Sequence, residues 1–291
     1  MVKIKLHMEQ QNNLRAKFLK HGFIVLKSVF ADSKIKELRD KFIKLSSTDD
    51  EILLDENAQD LLLDKDIIKK IKILLNSEKI WYYSDSSIKN YFNPFTAKNG
   101  FHNDERFASD EIPYKEEYPI IRAGIYFEDY KNFSGGLKIR DGSHKHFCFN
   151  LRAKLENIVR LLKIFTGRSR YDISAIKLGK KINLQLEEGD VVIWNLRTQH
   201  CGVSRRLKLF PRLCLSPSLE KMLPNSLFLP TQYKTNRCSI FSTFSKVDYK
   251  NLNIVNYIKN KADIKKISSL KKNDDLIKKF DELNIEIPNF I

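Results

Sequence analysis

The residues in this sequence that could do chemistry begin with Gly100-Phe101-His102-Asn103-Asp104. Side chains alternate across an extended segment, so a His and an Asp two positions apart point to the same side and can reach one cation together. Much later in the chain, Glu188-Gly189-Asp190-Val191-Val192-Ile193-Trp194-Asn195-Leu196-Arg197-Thr198-Gln199-His200 forms a Gly-Asp turn leading into an apolar strand that ends near a second His. Two imidazoles and one carboxylate make a facial triad, a ligand set suited to Fe(II) that leaves open positions on the metal. Thr198, two positions before His200, either faces such a site or is a plain strand residue. Twelve residues beyond His200, Arg212 enters the apolar run Phe210-Pro211-Arg212-Leu213-Cys214-Leu215. A guanidinium there calls for an anion, and a carboxylate can be held by it through two parallel hydrogen bonds. Arg205 and Arg206 lie nearer to His200, in the preceding loop.

These side chains need a scaffold. Residues 9–20 read as a helix and Gly22-Phe23-Ile24-Val25-Leu26 as a strand. Asp32 or Ser33 caps a second helix, in which Ile35, Leu38, Phe42 and Leu45 recur at helical spacing. A third helix is expected over 64–77. From residue 79 short β-rich runs follow, broken by Gly, Pro and Asn: 79–84, 88–92, 119–128, 136–140, 182–186, 190–195 and 207–215. A helical insert is expected from Leu151 to about Phe165, and the chain after Pro230 reads as helical and lysine-rich. The expectation is one domain, mainly β with flanking helices. Residues 1–78 form an N-terminal flank, 79–218 a jelly-roll core with its insert, and 219–291 a C-terminal helical extension.

Four motifs in this order, Gly22–Leu26, His102-Asn103-Asp104, Ser134-Gly135-Gly136-Leu137-Lys138-Ile139-Arg140-Asp141-Gly142-Ser143-His144, and Gly189-Asp190 through His200 with Arg212, resemble the phytanoyl-CoA dioxygenase (PhyH-like) family of Fe(II)/2-oxoglutarate oxygenases. The resemblance spans residues 20–215. It implies a double-stranded β-helix, a cupin-like fold, with His102, Asp104 and His200 on iron and Arg212 on 2-oxoglutarate. O2 would be the other co-substrate, and succinate and CO2 would be released. The family's Arg falls about eleven residues after the distal His; here Arg212 falls at twelve. Because Asp104 is present where halogenases of the group carry a small residue, the resemblance implies hydroxylation or another oxidation of a C–H bond.

The remaining candidates concern substrate. On 119–128, Arg122, Gly124 and Tyr126 share the face opposite Ile121, Ala123, Ile125 and Phe127, and either line the cavity or face solvent. Lys138 and Arg140 alternate with Leu137 and Ile139 in the same manner. His144 and His146 form an H-x-H pair in which His144 reads as a hydrogen-bonded turn residue beside the site, and Cys201 reads as small and buried. The chain carries a net charge of +16, of which +12 falls between Lys131 and Arg212. That excess either reflects a lysine-rich composition or favours an anionic partner, such as a phosphorylated or carboxylated small molecule or a glycan. The basic, amphipathic stretch 151–170 either packs on the core or touches an anionic membrane. Nucleic acid is disfavoured, since no basic-aromatic interleaving is present. Scattered cysteines, no apolar run long enough to span a bilayer and no secretory pattern lead to the expectation of a cytoplasmic protein, with the inner face of a membrane as its alternative place.

Overall fold

The computed structural model describes residues 2–45, 51–83, 87–91, 101–104, 117–118, 120–145, 147–148, 162, 166, 176–177, 180–232, 237–247, 255–256, 258–259 and 264–289. His146 and nearly all of the expected insert at 151–165 lie outside them.

The N-terminal part runs α1 (Val2–His21), β1 (Phe23–Leu26), α2 (Asp32–Leu45), α3 (Glu56–Leu62) and α4 (Lys65–Leu75). Local sequence explains the ends of α4. The Asp64 carboxylate accepts from the amides of Asp66 and Ile67, and Asn76 closes the helix in the left-handed region at φ 50°. Between those caps Ile67, Ile68, Ile71, Leu74 and Leu75 recur on one side and are buried.

The strands that follow are β2 (Ile80–Tyr82), β3 (Ser87–Tyr91), β4 (Ile120–Tyr126), β5 (Gly136–Arg140), the short pair β6 (Phe147–Cys148) and β7 (Ile176–Lys177), β8 (Lys181–Asn183), β9 (Val191–Asn195) and β10 (His200–Ser204). Then come α5 (Pro217–Met222), β11 (Arg237–Lys246), α6 (Ile264–Lys271), α7 (Asp274–Glu282) and β12 (Ile285–Glu286). The larger sheet has the order β1-β9-β4-β11-β2-β12, with β3 also paired to β11. The smaller sheet is β10-β5-β8.

Each central strand of the larger sheet is buried on both faces, which is why Val191-Val192-Ile193-Trp194 is continuously apolar. Ile121, Ala123, Ile125, Val191, Ile193, Cys238, Ile240 and Phe244 point to one side, into the core shared with α2, α3, α4 and α7. Tyr126, Val192, Trp194 and Phe241 point to the other and meet Leu137 and Ile139 of the smaller sheet. Helices on one face and a second sheet on the other give the expected β core with flanking helices, the jelly-roll arrangement.

The chain departs from expectation at Glu56–Leu62, a helix the spacing does not announce, and again over 207–246. Residues 207–215 are not a strand: Leu207 makes an isolated bridge with Phe228, and Pro211-Arg212 is a turn. Pro211 lacks the amide a central strand must donate. The strand that fills the position is β11, which lies beyond the expected end of the core at 218. It pairs with β4 from Ser239↔Tyr126 to Ser245↔Ile120. Its serines hide it in a polarity reading, yet Ser239, Ser242 and Ser245 are fully buried. Phe241 lies over its partner Gly124, where a Cβ would come within 2.7 Å of the ring, so the missing side chain makes room for the aromatic.

The turn into β9 is equally specified. Asp190, fully buried, accepts from the amides of Ser28 at 2.9 Å and Glu187 at 2.8 Å and from Lys27 Nζ at 2.6 Å. Gly189 has φ +80°, and a Cβ there would stand 2.4 Å from the Phe30 carbonyl oxygen. Gly189→Ala therefore lowers the unfolding free energy by about 1–3 kcal/mol, measurable by denaturant titration, with the strain of the left-handed backbone as the minimum cost.

Candidate metal centre

The site is assembled by backbone pairing. His102 and His200 stand directly opposite one another as an antiparallel bridge. The His102 amide donates to the His200 carbonyl at 3.0 Å, and the His200 amide donates to the His102 carbonyl at 2.8 Å. Residues exchanging both bonds project their side chains to the same face, so the two rings lie 4.6 Å apart. Two residues on, the chain bends at Asp104, whose amide donates to the Leu196 carbonyl at 3.1 Å. The carboxylate thus returns to the same side, with its Oδ2 3.7 Å from His200 Nε2. One nitrogen or oxygen from each of His102, Asp104 and His200 lies within 4.8 Å of the others, and among the described residues this is the one group of side chains so arranged.

The surroundings prepare these atoms to bind a cation. His200 Nδ1 lies 3.0 Å from the Thr198 carbonyl, which can only accept, so Nδ1 carries the proton and Nε2 presents its lone pair. Burial pushes the His200 pKa below the usual histidine value and favours the neutral ring, although Asp104 opposes it. Asp104 Oδ2 accepts from Arg122 at 3.1 Å, and Arg122 Nε donates to Thr243 Oγ1 at 2.8 Å, so two strands of the larger sheet fix the carboxylate.

The triad opens on a cavity of ≈ 110 Å³ between the sheets. Leu137, Trp194 and Phe241 supply apolar wall, and Arg122, Tyr126 and Arg237 its polar groups. Arg237, at the start of β11, was missed by the sequence reading. Its Nε donates to Tyr130 Oη at 3.0 Å, Tyr130 donates onward to Glu128 at 2.7 Å, and Glu128 also accepts from Arg39 at 3.2 Å. Burial, ahead of the charges beside it, raises the Tyr130 pKa well above the ordinary phenol value, so the hydroxyl keeps its proton and both hydrogen bonds persist. Gly202 leaves space for this guanidinium; a Cβ there would approach Arg237 to 3.3 Å.

The other anticipated residues lie elsewhere. Arg212 is exposed in its turn and does not line the cavity, because the strand expected to carry it is not formed. Arg205 and Arg206 are buried on neighbouring backbone carbonyls. Thr198 Oγ1 donates to the Gly22 carbonyl at 2.7 Å, so its role is to brace the loop before His200. Lys138 and Arg140 face away from the cavity, since Leu137 takes the inward position on β5. Lys138 pairs with Glu220, and Arg140 donates to Gln199 at 3.0 Å and stacks on Phe101. His144 is a buried turn residue, its Nε2 3.0 Å from the Leu19 carbonyl. Cys201 is buried, its thiol pushed up to about 11 by burial. Arg122 and Tyr126 are the substrate candidates that line the cavity.

The Trp194 and His200 rings are 5.5 Å apart. Titration with Co(II) therefore quenches Trp194 emission, and both His102→Ala and Trp194→Phe abolish the quenching, read by fluorescence with Trp81 as the internal reference.

No protein-family model matches this chain, and no curated protein matches it in sequence. Solved structures do. The epimerase SnoN in complex with Fe3+, alpha ketoglutarate and nogalamycin RO is 12% identical, covers 86% of this chain and 89% of its own, and superposes with a TM-score of 0.52. Iron-bound HygX from Streptomyces hygroscopicus is 13% identical over 81% of this chain and 87% of its own, with a TM-score of 0.50. At such identities the likeness establishes the fold: this chain has the double-stranded β-helix architecture of these proteins.

Proposed function

We propose that the chain is an Fe(II)- and 2-oxoglutarate-dependent oxidoreductase that oxidises a C–H bond of a small anionic organic substrate, with hydroxylation as the outcome. The observation that carries this reading is the convergence of His102, Asp104 and His200 on one point at the mouth of a cavity that also holds Arg237. Two imidazoles and a carboxylate suit Fe(II) and leave positions open to ligands. The fold of SnoN, crystallised with iron and alpha ketoglutarate, supports the same assignment. The order of the motifs in the sequence is consistent with a PhyH-like branch, with the arginine relocated.

Iron, 2-oxoglutarate and O2 together supply an oxidant able to take hydrogen from carbon, at the expense of converting 2-oxoglutarate to succinate and CO2. The chain's own residues do the rest. His102, Asp104 and His200 would hold the metal, and Arg122 fixes the Asp104 carboxylate beside them. Arg237, its Nε held by Tyr130, would receive a carboxylate of 2-oxoglutarate in a site of low dielectric where charge-assisted hydrogen bonds are strongest. Trp194, Leu137 and Phe241 exclude water around the reacting atoms. The second guanidinium in the cavity, Arg122, and the positive middle of the chain favour a carboxylated or phosphorylated substrate.

Anaerobic addition of Fe(II) and then 2-oxoglutarate develops a weak visible charge-transfer band; His102→Ala, Asp104→Ala and His200→Ala each abolish it. A wild-type protein without the band, and without succinate release in a metabolite screen, overturns the proposal. Arg237→Ala weakens 2-oxoglutarate binding by roughly 30-fold or more, the loss of a buried charge-assisted pair worth at least about 2 kcal/mol. Arg212→Ala leaves it within about twofold, since an exposed side chain outside the cavity wall contributes little.

A further inference from the structure

Residues 205–229 connect β10 toward β11 and lie over the outer face of the smaller sheet. The segment is fixed from beneath. Asn183 of β8 donates to the Leu213 carbonyl at 3.2 Å, and Lys138 of β5 donates to the Leu215 carbonyl at 2.8 Å and pairs with Glu220. It is also folded on itself: the Lys208 amide donates to the Leu227 carbonyl at 2.9 Å and the Leu229 amide to the Arg206 carbonyl at 2.7 Å. Arg205 reaches the Glu220 carbonyl and Asn225 and stacks on Phe228.

The side chains of this segment are distributed the opposite way to an ordinary surface loop. Its buried members include Arg205, Arg206 and Glu220, whereas Leu209, Phe210, Leu213, Leu219, Met222 and Leu227 are between 44 and 83% exposed. Single exposed apolar residues are unremarkable, but six within one compact segment mark a surface that meets something apolar. The exposed charges are all of one sign. Lys208, Arg212 and Lys221 each stand next in sequence to an exposed apolar residue, and the segment's single carboxylate, Glu220, is buried against Lys138.

We propose that this face is a membrane-docking surface for an anionic phospholipid bilayer. Leu209, Phe210 and Met222, the most exposed of the six, enter the boundary between headgroups and acyl chains. Lys208, Arg212 and Lys221 lay their aliphatic stems along that boundary and place their charges on lipid phosphates. Charge complementarity selects this occupant: a net +16 chain presents exposed apolar side chains interspersed along the segment with exposed cations, and no exposed carboxylate. Among the described residues no helix is long and apolar enough to cross a bilayer, so the contact is peripheral. The proposal is independent of the iron site, because none of these side chains lines the cavity.

Co-sedimentation of the full chain with vesicles tests it. The wild type binds vesicles of phosphatidylcholine and phosphatidylglycerol in equal parts and binds pure phosphatidylcholine at least about tenfold more weakly. Phe210→Ser/Met222→Ser and, separately, Lys208→Glu/Arg212→Glu each reduce binding to the mixed vesicles by about tenfold or more, with thermal melting unchanged. Lys271→Glu/Lys272→Glu, an equal change of charge on exposed residues of α6 and the turn after it, leaves binding within about twofold. Failure of the wild type to bind overturns the proposal, as does an equal loss in the Lys271/Lys272 variant, which would mean attraction by net charge alone. A concentration-dependent self-association that Phe210→Ser/Met222→Ser abolishes, without vesicle binding, identifies a second copy of the chain as the occupant and also overturns it.

Discussion

The two hydrogen bonds exchanged between the backbones of His102 and His200 are the constraint on which the site depends. They place residues almost a hundred positions apart in direct register, and register is what brings two imidazoles to one face. A slip of one residue would turn one ring to the other side and scatter the triad. The rest of the fold can be read as the means of holding that register: β9 delivers the chain to Thr198 and His200 from the centre of the larger sheet, and β10 continues from His200 into the smaller one, paired with Ile139 and Lys138 of β5. Hydrogen bonds beyond the triad reinforce it. Thr198 holds the proton of His200 on the far nitrogen and is itself tied to Gly22, so the junction of the N-terminal helix and strand contributes to the orientation of the ring.

Burying charge beside such a site is costly, and a chain of ion pairs and hydrogen bonds offsets that cost. Arg39, Glu128, Tyr130 and Arg237 form a line from the helical side of the larger sheet to the cavity between the sheets. The same Glu128 carboxylate accepts from the Cys238 amide at 2.9 Å, which anchors the start of β11. Position and electrostatics are therefore set together: the strand begins where the carboxylate holds it, and its first residue presents a guanidinium to the cavity. On the far side of the smaller sheet a second buried pair, Lys138 with Glu220, secures the segment whose outer surface is apolar and basic.

The helices α1, α2 and α4, the strands from β1 to β5 and the turn before β9 were legible because each advertises itself locally. Asp64 precedes an apolar repeat at helical spacing, Gly189-Asp190 is a turn that glycine and a carboxylate together specify, and β4 alternates between a face for the helices and a face for the cavity. The triad was legible for a related reason. Two ligands sit two apart on one extended segment, and the third ends a run too apolar to be anything but central. Arg237 was not. It opens a strand rich in serine, 37 residues beyond His200, after an intervening stretch whose own arginines are more conspicuous. Sequence spacing measured from His200 to Arg212 assumed that the chain returns to the larger sheet at once. Instead it first crosses the smaller sheet.

What the sequence determined by itself is the identity of the possible ligands and the periodicity that makes them face one way, since side-chain alternation and turn chemistry act over a few residues. What the tertiary structure decided is which arginine enters the cavity and which basic residues stay outside. That choice depends on which strand pairs with β4, a contact between distant segments. It is settled by the packing of Phe241 over Gly124 and by buried serines that no local polarity scale would place in a core.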